Sequence, residues 1–280
     1  MPRVSIAPLR RVTRDGSRTD QDLVAVEAPL SIQLSHTAPG ATAPTLTSLG
    51  IFMRTPGDDE AFVLGLLYAE GVIRSSTDVT ETTLAFDSDE ASATLRVVLA
   101  PHVMFDPAVL ARSGVATTAC GLCGKLSALS NHVGGRFPAA VRAIEINSIV
   151  FQLPHRLRDA QAVFAKTGGL HAAAFFDRRG VLVDITEDVG RHNAVDKLIG
   201  RALLAARGRG TEEPPVSPAG DHLLVVSGRV AYEIIQKAAM AGVGTLVAVG
   251  APSSLAVQAA RETGITLIGF AKDGSYNVYG

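Results

Sequence analysis

Two cysteines, separated by two residues, are the side chains in this sequence most able to do chemistry. Cys120 and Cys123 are the only cysteines among the 280 residues, and they lie in the segment ACGLCGK, 119–125. Thiols at this spacing can form a disulfide, hold a metal or pass sulfur between them, and a cation such as Lys125 favours the reactive thiolate. Gly121 and Gly124 let the backbone bend and approach a partner. The alternative is that the two cysteines are simply buried in a loop.

Zinc chemistry fits this pair poorly. A structural zinc site needs four ligands, and the chain has only two cysteines. A zinc deaminase carries His-x-Glu and, later, Pro-Cys-x-x-Cys, whereas none of the seven histidines has Glu two residues on and residue 119 is Ala. A disulfide oxidoreductase remains possible, since the motif alone permits it. We therefore predict no tightly bound metal, and the residues alone leave disulfide exchange and sulfur transfer both open.

A second group of polar residues lies in TGGLH, 167–171, and EDVGRHN, 187–193. The pattern predicts a strand that ends here and a helix that begins here. Free N–H groups at a helix start attract anions, and an arginine adds a fork of donors. A lone histidine is more often structural, but two histidines beside glycine turns favour a binding site. The candidate site residues from this group are Gly169, His171, Gly190, Arg191 and His192.

A third group follows two apolar strands. Ser227 ends the run HLLVVS, 222–227, and Gly228 and Arg229 follow it, while Ser253 occupies the matching place after the next strand. Ligands of open α/β sheets bind outside the carboxyl ends of the strands, so both turns are candidate phosphate-binding sites. The alternatives are that Ser253 caps a helix and that Arg229 pairs with Glu233 one turn later.

The order of the predicted elements divides the chain into two units. Residues 222–270 alternate between apolar strands and helices, which predicts α/β layering with parallel strands. Residues 172–189 are typical of a β-hairpin. We predict a flexible tail at 1–20, a small α+β domain at 21–112, a mobile loop with the cysteines at 113–126 and an α/β domain at 127–280.

Charge and hydropathy exclude some classes of partner. The formal net charge is -1, so no global basic field recruits nucleic acid. No apolar stretch approaches the length of a membrane span, and the basic N-terminus lacks the apolar segment of a secretory signal. We therefore expect a cytoplasmic protein that binds neither nucleic acid nor membrane.

Several of these segments together resemble the FdhD family of formate dehydrogenase accessory sulfurtransferases. No single run decides the matter, but the conjunction in this order is specific. After APLSIQL, 28–34, the family usually has a short strand-turn-strand, whereas this chain has the longer loop HTAPGATAPTLT, 36–47. The matching runs are MRTPGDDEAFVLGLLYAEGVI, ACGLCGK, GGLHAAAFF, EDVGRHNAVDKLIG, SGRVAYEIIQKAA, ITLIGF and NVYG.

The resemblance implies a specific activity. Such proteins accept persulfide sulfur from a cysteine desulfurase and deliver it to the bis(guanine dinucleotide) form of the molybdenum or tungsten cofactor, which a formate dehydrogenase then uses. The resemblance assigns sulfur handling to Cys120 and Cys123 without saying which receives sulfur first. It also implies a homodimer. A binding module that escorts the cofactor without covalent chemistry is the main alternative, and it predicts that both thiols are dispensable.

The resemblance also implies a fold. The C-terminal part is expected to be a three-layer αβα domain similar to the cytidine deaminase fold without its zinc. A small α+β domain is expected before it.

Overall fold

The computed structural model describes residues 1–37, 41, 43–87, 91–106, 148–208 and 217–279. The predicted loop at 113–126, with Cys120 and Cys123, lies outside these residues. The strands are β1 (Val4–Thr13), β2 (Gly16–Ala25), β3 (Ala28–His36), β4 (Thr45–Arg54), β5 (Val79–Phe86), β6 (Ala93–Leu99), β7 (His171–Phe176), β8 (Leu182–Asp188), β9 (Leu223–Val226), β10 (Thr245–Ala248), β11 (Thr266–Lys272) and β12 (Ser275–Tyr279). The α-helices are α1 (Asp59–Ala69), α2 (Leu153–Ala160), α3 (Phe164–Thr167), α4 (Arg191–Gly208), α5 (Tyr232–Met240) and α6 (Ser254–Thr263), and Ser76–Asp78 and Ser148–Phe151 form 3-10 turns.

The C-terminal half is built on a six-stranded sheet in the order β12-β11-β10-β9-β7-β8. Strands β9, β10 and β11 are parallel, as their continuous apolar runs predict. The predicted hairpin of β7 and β8 is confirmed, and β7 runs antiparallel to β9. The start of β7 and the ends of β8, β9 and β10 therefore meet at one edge of the sheet.

Both faces of this sheet are covered. Ala173, Leu224 and Leu246 pack into the core that contains residues of α4, α5 and α6. Their neighbours Ala174 and Val225 pack on the other face, against α2 and the 3-10 turn before it. The mixed α/β class is therefore confirmed, with helices on two sides of the sheet. No helix in the described part of the chain is long and apolar enough to cross a membrane.

The N-terminal half contributes a four-stranded sheet, in the order β4-β3-β6-β5, and helix α1. Nearly every residue of α1 is buried, as expected for a helix that is apolar on all sides. A Cβ atom on Gly65 of α1 would overlap the carbonyl oxygen of Asp196, and one on Gly200 of α4 would overlap that of Ala61. The two helices therefore cross in close backbone contact, and one hydrophobic core contains residues of both halves.

The prediction of a flexible tail at 1–20 is wrong. Strands β1 and β2 form an antiparallel hairpin whose register runs from Val4 opposite Ala25 to Thr13 opposite Gly16. Its two turn residues are Arg14 and Asp15, and Gly16, the first residue of β2, has φ 146, a backbone conformation that favours glycine. The charged composition of this segment obscured the hairpin. At its base, the Arg3 guanidinium donates to the carbonyl oxygen of Glu187 at 2.9 Å.

Helix α1 begins at two acidic residues and has no side-chain cap. Asp58 occupies the N-cap position with φ 56, but its side chain accepts no capping hydrogen bond. It lies 3.9 Å from Arg201 instead. Asp59 is the first residue of the helix and is engaged by the buried Arg54 guanidinium at 2.8 Å. The Arg54 guanidinium is therefore the partner of the Asp59 carboxylate at the start of this helix.

Candidate functional site

The loops that follow β9 and β10 are joined by backbone hydrogen bonds at the edge of the sheet. The amide of Gly250 donates to the carbonyl oxygen of Gly228 at 3.2 Å, and the amide of Val230 donates to that of Ala251 at 3.1 Å. A Cβ atom on Gly250 would come within 2.6 Å of the Gly228 oxygen. The close approach therefore requires glycine at position 250 and fixes the loop that carries Gly228 and Arg229.

Four of the predicted side chains meet beside this loop, those of His171, Arg191, His192 and Arg229. Together with Gly228, they form what we call the basic corner. A Cβ atom on Gly228 would lie 3.1 Å from Nδ1 of His171 and 3.9 Å from Cβ of Arg191. Burial lowers the pKa of His171 below its ordinary 6.5, and the charges of Arg191, His192 and Arg229 lower it further. The surroundings of His171, which include the guanidinium groups of Arg191 and Arg229, therefore favour its neutral form.

Both arginines of the basic corner have donors available. Nε of Arg191 is buried and has no hydrogen-bond partner within the described ranges. Arg229 is exposed and forms no ion pair with a described carboxylate. Each guanidinium offers a planar fork of N–H groups that matches a phosphate or carboxylate oxygen pair. The arrangement can bind an anion that bridges the start of α4 and the loop after β9.

One carboxylate, Glu233 on α5, borders the basic corner. Its Oε2 lies 3.8 Å from Nε2 of His192, which is longer than a hydrogen bond, and neither atom has a partner in the described part of the chain. The His192 ring lowers the pKa of Glu233 to about 2, against the opposing effect of burial. The suggested pairing of Glu233 with Arg229 is therefore wrong, because Glu233 faces His192.

A buried polar network holds the turn between β8 and α4. The carboxylate of Asp188 lies 2.7 Å from Nζ of Lys197, and it accepts hydrogen bonds from the amides of Thr55 at 3.1 Å and Gly190 at 2.8 Å. It also accepts one from Nδ2 of Asn193 at 2.9 Å. The predicted residue Gly190 therefore serves the turn that positions Arg191, and Thr55 links this turn to the N-terminal half.

Ser253 has the role of a helix cap. It is the N-cap residue of α6, and its hydroxyl accepts a hydrogen bond from the amide of Ala256 at 3.2 Å. This is the alternative that the sequence left open for Ser253. The described contacts do not bring Ser253 into the basic corner.

Ser227 and Gly169 stand next to the basic corner, not within it. The hydroxyl of Ser227 accepts a hydrogen bond from the amide of Ala172 at 2.9 Å, which extends the pairing of β7 with β9. Gly169 is exposed, and a Cβ atom there would lie 3.3 Å from that of Ala25 on the β1–β2 hairpin. The turn at 227–229 leads into α5, whose N-cap residue is Ala231.

The described residues do not test the predictions made for the two cysteines. Cys120 and Cys123 fall outside the described residues. Within those residues, no group of three or more His, Cys, Asp or Glu side chains could hold a metal ion. The absence of a resident metal therefore stays a prediction that elemental analysis must test.

Comparison with known proteins gives consistent results over nearly the whole chain. A family model described as the FdhD/NarQ family matches residues 25–280. A protein of Streptomyces coelicolor is 44% identical over 275 residues, which cover 95% of this chain and 90% of that protein. One of Mycobacterium tuberculosis is 41% identical, covering 97% and 94%, and one of Sulfurisphaera tokodaii is 36% identical, covering 99% and 96%. All three are named sulfur carrier protein FdhD.

A solved structure shares the fold. The crystal structure from Desulfotalea psychrophila, described as that of a formate dehydrogenase accessory protein, matches with a TM-score of 0.70 over 100% of this chain and 97% of that one. The sequences are 20% identical, so this likeness concerns the fold alone.

Proposed function

This chain belongs to the FdhD/NarQ family, and on that premise we propose that it is a sulfur carrier that acts in the maturation of a formate dehydrogenase. The observation that carries the proposal is the identity of 36% to 44% with proteins named sulfur carriers, over almost the whole length of both partners. The isolated Cys120 and Cys123 pair supplies the side chains that such a role requires.

The proposed sulfur donor is the persulfide of a cysteine desulfurase. A thiolate of the pair attacks the terminal sulfur of that persulfide, so that a persulfide forms on this chain and the donor leaves as a thiolate. The second cysteine can then attack the inner sulfur, which forms a disulfide between Cys120 and Cys123 and expels the outer sulfur as hydrosulfide. A thiol reductant must restore the pair after each such cycle. Either cysteine can take the first role.

The proposed sulfur acceptor is the molybdenum or tungsten bis(guanine dinucleotide) cofactor, as substrate. Its nucleotide arms carry phosphates, whereas this chain has a net charge of only -1, so binding depends on local donors. The basic corner supplies them: Nε of Arg191 is buried without a described partner, and Arg229 is exposed nearby. Phosphate accepts charge-assisted hydrogen bonds from such arginines, and His171 and His192 add donors or acceptors.

Intact mass spectrometry tests the sulfur-carrier role. After incubation with a cysteine desulfurase and cysteine, the protein is expected to gain the mass of one sulfur atom and to lose it on reduction. The Cys120→Ala, Cys123→Ala double variant is expected to gain none and to leave a client formate dehydrogenase inactive. Full activation of the client by the double variant would overturn the proposal and favour an escort that binds the cofactor without covalent chemistry.

The proposal also places the protein in the cytoplasm as a homodimer, as the family resemblance implies. Light scattering coupled to size-exclusion chromatography measures the mass of the assembly directly. A monomer at all accessible concentrations would remove the dimer from the proposal and leave the sulfur chemistry in place.

A further inference from the structure

A cavity of about 280 Å³ opens on the opposite face of the sheet from the basic corner. It lies between α2 and the ends of β9, β10 and β11, where ligands of α/β sheets collect. Its lining includes Pro154, Leu157, Gln161, Ser227, Val249 and Ala271. The basic corner lies on the side of α4 and α5, so Ser227 and Gly228, adjacent in sequence, belong to different sites.

Gln161 gives this cavity an unsatisfied donor. Gln161 is 3% exposed, and its Nε2 is buried with no hydrogen-bond partner among the residues that the structure describes. A buried polar group without a partner is costly, so such groups are rare in folded proteins. Ser227 also lines the cavity, and its hydroxyl oxygen accepts from Ala172, which leaves the hydroxyl hydrogen able to donate. The cavity therefore favours a ligand with hydrogen-bond acceptors.

The rim of the cavity is basic. His155, Arg158 and Lys272 border it, with Asp273 as the single acidic residue of the lining. The guanidinium of Arg158 lies 4.1 Å from the centroid of the Phe164 ring, and this cation–π contact holds the charge in place. An immobilised guanidinium loses little freedom when it binds, which favours an anionic group at this rim.

We propose that this cavity binds a small organic anion. Its apolar body packs against Leu157 and Val249, its acceptors meet Gln161 and Ser227, and its charged group lies at Arg158. The volume of about 280 Å³ is slightly below the roughly 300 Å³ at which pockets for drug-sized ligands start, so the site suits a ring-sized carboxylate better than a nucleotide. This site is independent of the proposed sulfur-carrier role.

Fluorine NMR with 4-fluorobenzoate as the probe tests the proposal, and 4-fluorobenzyl alcohol serves as its neutral counterpart. Gln161→Leu, which keeps the volume and removes the donor, is expected to weaken binding of both probes about fivefold. Arg158→Ala is expected to weaken binding of the carboxylate probe by about fivefold and to leave binding of the alcohol probe unchanged. The matched control is Arg178→Ala, because Arg178 follows the far end of β7, at the opposite edge of the sheet.

Three results would overturn the proposal. The first is no binding by the unmodified protein at about 10 mM probe, a concentration suited to a ligand of this size. The second is unchanged binding in both Gln161→Leu and Arg158→Ala, each with its fold intact by circular dichroism. The third is loss of binding in Arg229→Ala in place of Arg158→Ala, which would assign the probe to the basic corner. None of these results bears on persulfide formation at the cysteines.

Discussion

The carboxylate of Asp188 lies 2.7 Å from the ammonium group of Lys197, and both side chains are almost completely buried. Burial lowers the pKa of Lys197, and the charge of Asp188 opposes that effect. Lys197 also donates to the carbonyl oxygen of Thr55 at 2.7 Å. The ion pair therefore connects the start of α4, which carries Arg191, to the end of β4 in the other half of the chain.

Removal of the charge at position 188 is expected to destabilise the protein strongly. Asp188→Asn leaves the Lys197 ammonium buried without its carboxylate, which costs about 3–5 kcal/mol of unfolding free energy. Urea denaturation measures the loss. Asp58→Asn is the matched control, since Asp58 lies at 3.9 Å from Arg201 and is partly exposed, so its effect should stay under about 1 kcal/mol. Equal effects of the two substitutions would contradict this account.

Two glycines of the same helix are expected to respond oppositely to alanine. In Gly200→Ala the added methyl group overlaps the Ala61 carbonyl oxygen, and separation of the helices should cost about 3 kcal/mol or more. Gly208, the last residue of α4, has open space around it, so Gly208→Ala should be neutral or stabilise by up to about 1 kcal/mol. Thermal unfolding of both variants tests the crossing of α1 and α4. A Gly200→Ala variant as stable as the parent would refute the close contact.

Loss of one arginine is expected to weaken binding of a guanine nucleotide at the basic corner. Arg229→Ala removes a charge-assisted hydrogen bond, so GDP affinity should fall about tenfold. Arg179→Ala is the control, because Arg179 is exposed at the far turn and pairs with Asp177. Calorimetric titration gives both affinities. Unchanged GDP affinity in a folded Arg229→Ala protein would remove Arg229 from the site. The absence of GDP binding by the unmodified protein would contradict a nucleotide site at the basic corner.

The titration of His171 is expected to report the charge around it. The free protein should show His171 with a pKa below 6.5, and Arg229→Ala should raise that pKa because one cation is gone. Bound GDP should raise it as well, so GDP affinity should increase as pH falls through this range. Since the folded-state pKa is lowered, the contribution of His171 to stability is complete above about 6.5 and declines as pH falls.

Proton NMR of the His171 ring, with and without GDP, measures these shifts. His222 lies elsewhere, beside Phe175 at 6.0 Å between ring centroids, and it serves as an internal reference that GDP should not affect. A His171 pKa that is insensitive to both GDP and Arg229→Ala would contradict the basic corner as an anion site.

The sequence predicts the C-terminal sheet well because its signals are local. Strands such as Leu223–Val226 are continuous apolar runs, and each lies beside a helix with apolar residues at three and four. The convergence of His171, Arg191 and Arg229 also follows, since strand ends and a helix start meet at one edge of such a sheet. The bounds of the two predicted units remain a prediction.

Other features depend on contacts that no local pattern records. Strand Val79–Phe86 is largely exposed and polar, so apolar and polar residues do not alternate clearly along it. The bond from the Thr55 amide to Asp188 joins residues 133 positions apart. The role of Ser227 in strand pairing and that of Gln161 in the cavity likewise depend on neighbours distant in the chain. Cys120 and Cys123 are identified by the sequence alone.

The backbone contact between α1 and α4 has a consequence for how the protein can be divided. Leu66 and Phe62 share one core with Val195 and Ile199, so either half alone would expose apolar side chains of this core to water. Expression of 148–280 without its N-terminal half should give an insoluble or molten product. Calorimetry of the whole chain should show one endotherm. A domain inserted between the halves by gene fusion would have to leave the two halves able to pack against each other.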